Sequence, residues 1–125
     1  MKRMQDDILK VLLSEEQIAE KVAQIGRQIT EDYRDKNLLM VSVLKGSVVF
    51  MADLMRAVDC PARIDFMSVS SYGSGTKTSG VVKIVKDLDL NLEGYDLLLV
   101  EDILDSGRTL YYLRVILEKR NPASI

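Results

Sequence analysis

Ile18, Val22, Ile25 and Ile29 recur at the spacing that lays one apolar face along a helix. Ser14 and Gln17 stand ahead of them in the pattern of a capping box, where each side chain meets a backbone N–H at the helix start. This predicts a helix from Ser14 to about Arg34, with Asp35, Lys36 and Asn37 as its exit. The period then changes. LLMVSVL, 38–44, is short, β-rich and apolar on both faces, as expected of a strand covered on both sides. KGS breaks it, and SVVFMADLMRAV, 47–58, reads as a second helix. RIDFMSVSSY, 63–72, is the next strand, and GSGTKTSG, 73–80, has no apolar residue and reads as a mobile loop. VVKIVKDL alternates as a strand returning from that loop, NLEG is a turn, and YDLLLV, 95–100, is a further strand. RTLYYLRVILEKR, 108–120, is a helix that stops before Asn121 and Pro122. Strands alternating with helices predict an α/β fold, a mainly parallel central sheet flanked by helices on both faces. Tyr111 and Tyr112 read as helix-packing residues, and the methionines as core filler apart from the initiator.

The stretch LLLVEDILDSGRTL, 97–110, departs from this plain alternation. In open α/β sheets, ligands bind outside the carboxyl ends of the strands, and that is where Glu101 and Asp102 fall. Residues 105–109 (Asp105, Ser106, Gly107, Arg108 and Thr109) span the turn into the following helix. Backbone N–H groups at a helix start lack intrahelical partners, and the helix dipole there favours an anion. Gly107 allows close backbone approach, while Ser106 and Thr109 add hydroxyl donors, so the turn suits a phosphate monoester. The paired carboxylates would repel that phosphate and so suit another part of the ligand, either sugar hydroxyls or hydrated Mg²⁺. Read singly, each acid is equally a solvated charge, and Asp105 an ordinary N-cap. Other phosphate motifs are missing: there is no G-x-x-x-x-G-K-[ST], and no G-x-G-x-x-G follows a strand. An acidic strand end also occurs in response-regulator receiver domains, but there it follows the first strand.

Composition narrows the classes. At 125 residues the chain is expected to form one domain, 1–125. A net charge of −2 gives no support to nucleic-acid binding through bulk electrostatics. The single cysteine, Cys60, rules out an internal disulfide framework and fits a reducing, cytoplasmic setting. The absence of histidine removes His-based triads and metal sites. The N-terminus, MKRMQDDILK, places acids where the apolar region of a secretory signal would begin. No apolar run approaches the ~20 residues of a membrane span.

The segment around the acidic pair resembles the signature of the type I phosphoribosyltransferases, which bind phosphoribosyl pyrophosphate (PRPP). VLKGSVVFMADL at 43–54, DFMSVSSYGSGTKTSG at 65–80 and VKIVKDLDLNLEGYDLLLVEDILDSGRTL at 82–110 narrow the likeness to bacterial hypoxanthine phosphoribosyltransferases. ILKVLLSEEQI near the N-terminus is similar as well, so the resemblance covers nearly the whole chain. It implies purine salvage: transfer of the phosphoribosyl group from PRPP to hypoxanthine or guanine, giving IMP or GMP and pyrophosphate, with Mg²⁺ as cofactor. Carried over by position, Glu101 and Asp102 hold the ribose hydroxyls directly or through Mg²⁺. Asp105 lies near purine N7 as general acid or base, and residues 105–109 wrap the 5′-phosphate. The same likeness makes Leu44, Lys45 and Gly46 the pyrophosphate turn, with a cis peptide at Leu44–Lys45, and makes Ser71 and Tyr72 the opening of a lid.

In the family, further segments carry the purine-recognising residues and complete the sheet. The final residues, ASI, look like the first step into another strand. The expectation is therefore an incomplete domain, an open base pocket, and association into a homo-oligomer. Two other classes stay open at this point: a PRPP- or nucleotide-binding regulatory module without turnover, and an assembly role.

Overall fold

Helix α1 (Glu15–Tyr33) starts behind Ser14 in the computed structural model, which describes residues 3–71 and 82–125. The Ser14 hydroxyl accepts the Gln17 N–H at 3.1 Å, and the Gln17 side-chain oxygen accepts the Ser14 N–H at 2.8 Å. The expected capping box is thus formed in both directions. Val22, Ile25 and Ile29 pack inward as their spacing predicts, whereas Ile18 is half exposed. An open groove between α1 and helix α2 (Val48–Ala57) explains the difference. Ile18 lines that groove together with Val22, Asp53 and Ala57, so part of its side chain faces water. Where the helices do cross, they nearly touch: a β-carbon on Gly26 would lie 2.4 Å from the Ala57 carbonyl oxygen. One turn on, the Thr30 hydroxyl donates to the Gly26 carbonyl at 2.7 Å and accepts the Asp59 N–H at 2.8 Å, tying the exit of α2 to α1.

The strands are β1 (Leu38–Val43), β2 (Ala62–Ser71), β3 (Val82–Lys86) and β4 (Asp96–Val100), in the order β3-β2-β1-β4. β1 is parallel to both β2 and β4, and β3 runs antiparallel to β2, so the sheet is mainly parallel as expected. Helices α1 and α2 cover one face and α3 (Arg108–Glu118) the other. Central β1 shows the consequence in its side chains. Leu38 and Met40 point into the α1/α2 cluster, Leu39 and Val41 into the α3 cluster, and all four are buried. Each such burial is worth ~1.5–3 kcal/mol.

On α3, Leu113 and Leu117 are fully buried, with Leu110 half-buried in line with them. That single stripe takes up the sheet-facing side of the helix. Tyr111 and Tyr112 fall outside it, exposed, with their rings edge to face at 5.6 Å between centroids, so they do not pack the helix as the sequence led us to expect. The methionines divide similarly: Met40, Met51 and Met67 are core residues, but Met4 and Met55 are exposed. Past α3, Arg120 makes a two-pronged pair with Asp87 at 2.7 and 2.8 Å. The Ala123 N–H then donates to the Tyr95 carbonyl at 2.7 Å, and the Leu97 N–H to the Ser124 carbonyl at 2.9 Å. ASI therefore begins to pair beside β4 as a parallel bridge. Tyr72 and the loop at 73–80 lie outside the described residues.

Candidate active site

Ser42 of β1 stands beside Val100 of β4 in parallel register, so the two strands release their chains side by side at one end of the sheet. From β1 comes the turn of Leu44, Lys45 and Gly46. Its Leu44–Lys45 peptide is cis, as the resemblance implied. The Leu44 N–H donates to the Met67 carbonyl of β2 at 2.8 Å, and the Val48 N–H to the Lys45 carbonyl at 3.1 Å, closing the turn into α2. From β4 come Glu101 and Asp102. A β-carbon on Gly46 would stand 3.5 Å from Asp102 Oδ2, ordinary contact distance, so the turn and the acidic pair face each other directly.

Glu101 is half-buried, and its Oε1 accepts the Asp102 N–H at 3.3 Å. Burial raises the Glu101 carboxyl above the usual glutamate value, and the neighbouring Asp102 carboxyl adds to the rise by hydrogen bonding and like charge. The backbone N–H of Asp102 works in the opposite direction. Two crowded carboxylates of this kind favour a partner that relieves their charge, either a hydroxyl pair or a hard cation.

Asp105 and Ser106 follow, both exposed, and then Gly107 with φ 82° as the N-cap of α3. Asp105 is therefore not the N-cap. The left-handed backbone at Gly107 is open to glycine without strain, and it turns the chain so that α3 begins at Arg108. The Ser106 hydroxyl accepts the Arg108 N–H at 3.3 Å. The N–H groups of Thr109 and Leu110 have no partner within the helix by its geometry. Glu101, Asp105, Ser106, Gly107 and Thr109 line one pocket of about 300 Å³.

The fold thus brings together residues 44–46, 101–102 and 105–109. Ser71 is placed apart: it ends β2 four positions beyond Met67, the partner of Val43. Its backbone therefore stands about 13 Å past the end of β1. Two residues were overlooked in the sequence. Ile103 and Leu104 line the same pocket, yet are 74% and 68% exposed. The available signal was two consecutive apolar residues in a strand-end loop with no core to enter. A wider groove of about 640 Å³ lies between α1 and α2, lined by Ile18, Val22 and Ala57. Its Asp53 and Arg56 are already paired at 2.5 Å, so it lacks the convergent polar groups of the strand-end pocket.

Mg²⁺ fits this donor set, although no cluster of three acid, His or Cys ligands occurs among the described residues. Mg²⁺ is commonly held through one or two carboxylates with substrate phosphates and water completing its shell, and Glu101 with Asp102 supply that much. Among the described residues, no helix is long and apolar enough to cross a membrane.

Residues 9–125 match the phosphoribosyl transferase domain. Over 122 residues, 98% of this chain and 68% of the relative, the chain is 53% identical to a hypoxanthine-guanine phosphoribosyltransferase of Streptococcus pyogenes. A crystal structure of a hypoxanthine phosphoribosyltransferase from Staphylococcus aureus superposes with a TM-score of 0.91 at 45% identity, covering 97% of this chain and 66% of that one. A hypoxanthine-guanine phosphoribosyltransferase from Bacillus anthracis superposes at 0.87 with 44% identity, covering 94% and 69%. The chain spans about two thirds of the length of these relatives. With domain match, identity and fold in agreement, the chain belongs to the phosphoribosyltransferase family, on its hypoxanthine-guanine branch.

Proposed function

We propose that the strand-end site binds PRPP and transfers its phosphoribosyl group to hypoxanthine or guanine, giving IMP or GMP and pyrophosphate. The observation that carries this reading is the close approach of Gly46 to the Asp102 carboxylate, beside a pocket of about 300 Å³ at the start of α3. Three groups, two of them donors and one a pair of acceptor carboxylates, are thereby set against the three parts of one ligand. Backbone N–H groups at 105–109 take the 5′-phosphate. Glu101 and Asp102 hold the ribose 2′- and 3′-hydroxyls. The turn at 44–46 takes the pyrophosphate, with Lys45, exposed, adding a cation.

In the reaction, the C1′–O bond breaks, pyrophosphate leaves with the bonding pair, and purine N9 bonds to C1′. The ribose passes through oxocarbenium character, which the nearby carboxylates stabilise, much as in glycoside hydrolysis. The surplus proton on the purine, at N7, passes to the Asp105 carboxylate. Glu101 and Asp102 would hold Mg²⁺, which would supply charge neutralisation for the departing pyrophosphate. Exposed Ile103 and Leu104 sit between the acidic pair and Asp105 and offer an apolar surface to the flat base. Ser71 and Tyr72 belong to this proposal as the opening of the lid that excludes water. Self-association is part of the same reading, supported by the exposed apolar run of Leu9, Val11, Leu12 and Leu13.

The test incubates the purified chain with PRPP, Mg²⁺ and hypoxanthine, then guanine, and measures nucleotide by chromatography. IMP or GMP formation that requires Mg²⁺ is the expected result. A chain that forms neither nucleotide and does not bind PRPP refutes the proposal.

A further inference from the structure

Ser42 and Ser47 bracket the Leu44–Gly46 turn, and both are fully buried. A serine at an N-cap ordinarily accepts an N–H from the first turn of its helix. Ser47 occupies the N-cap of α2 but makes no such bond. Its hydroxyl instead donates back to the Val43 carbonyl at 2.6 Å and pairs with the Ser42 hydroxyl. A hydroxyl has one proton, and that of Ser47 is used on Val43, so Ser42 must be the donor in the serine pair. The result is a directed chain from Ser42 O–H to Ser47 O–H to the Val43 carbonyl.

That chain holds one side of the peptide entering the turn, and the Leu44 N–H bond to Met67 holds the other. Ser42 also stands beside Val100, the residue before Glu101. The serine pair is therefore anchored at the one place where β1, its turn and the acidic strand end meet. We propose that the Ser42–Ser47 hydroxyl chain is a positioning element that sets the 44–46 turn against Asp102 and so sets affinity for the pyrophosphate end of the substrate. This rests on the reading of that turn as the pyrophosphate site. Neither serine touches the ligand; they act through the backbone between them.

The test measures binding of inorganic pyrophosphate with excess Mg²⁺, and separately of IMP, to the full chain by calorimetry. Ser47→Ala removes both hydrogen bonds, and Ser42→Ala removes only the one between the serines. Pyrophosphate affinity should fall about tenfold in Ser47→Ala and about threefold in Ser42→Ala, from the loss of buried hydrogen bonds. IMP affinity, set by the loop at 105–109, should stay within about twofold. If Ser47→Ala does not fold, the Ser42→Ala comparison decides alone. Equal losses for both ligands would mark a general structural role and overturn the proposal, as would unchanged pyrophosphate affinity in the variants. A wild-type chain that binds IMP but not pyrophosphate would instead defeat the reading of the turn, and this proposal with it.

Discussion

Glu101→Gln should make the unliganded chain more stable while weakening its grip on PRPP. Glutamine keeps the oxygen that accepts the Asp102 N–H and removes one of two neighbouring negative charges. Burial and Asp102 hold the Glu101 carboxyl above the usual glutamate value, so its charged form is disfavoured in the folded chain. A carboxyl with a raised folded pKa contributes its stability fully below the unfolded value of 4.5, and that contribution is lost as pH rises through the raised value. The gain from Glu101→Gln should therefore be present at pH 7.5 and vanish near pH 4. Because Glu101 is only half-buried, solvent limits the effect to about 0.5 kcal/mol, roughly 2 °C in Tm for a domain of this size. Thermal melts of both proteins at the two pH values measure it. Adding PRPP with Mg²⁺ at pH 7.5 should raise Tm in the wild type and much less in the variant, since only tight binding to the folded state shifts the melt. A variant that is less stable at pH 7.5, or whose gain is the same at both pH values, would refute the argument.

Gly26→Ala improves helix propensity by about 1 kcal/mol, but its β-carbon would collide with the Ala57 backbone. The expected net loss is about 1–3 kcal/mol, read from urea unfolding. Asp105→Asn should lower turnover about 10²–10⁴-fold with little change in PRPP affinity, and steady-state kinetics with separate binding measurements distinguish the two. Asp87→Asn breaks the two-pronged pair with Arg120, whose hydrogen bond holds the Asp87 carboxyl below the usual aspartate value. It should cost about 0.5–1 kcal/mol at neutral pH. That difference disappears as pH falls through the lowered value, because the wild type then loses the pair too.

Local chemistry made several elements legible in the sequence. Ser14 and Gln17 carry the start of α1 in their own side chains, and the two-sided apolar run of β1 foretells a strand between two helical layers. Other features depend on distant partners. Ile18 continues the apolar face of α1, yet it is half exposed because it lines an open groove beside α2. Tyr111 and Tyr112 look like packing residues until Leu113 and Leu117 are seen to fill the contact with the sheet. The site divides in the same way. The run from Glu101 to Thr109 is continuous and could be read as a phosphate turn beside paired acids. That Gly46 faces Asp102 depends on β1 and β4 being neighbours, and no local period encodes strand order. Ile103 and Leu104 escaped notice because apolar residues beside a strand are ordinarily assigned to the core.

The proposed PRPP site unites the turn at 44–46, the acidic pair and the loop at 105–109. Amide chemical shifts of the ¹⁵N-labelled chain test it most directly, first with IMP and then with inorganic pyrophosphate and Mg²⁺. IMP should move the amides of Ser106, Gly107 and Thr109 most, and pyrophosphate with Mg²⁺ those of Lys45, Gly46 and Asp102. Shifts gathered instead along the α1/α2 groove, at Ile18, Val22 and Ala57, would contradict it.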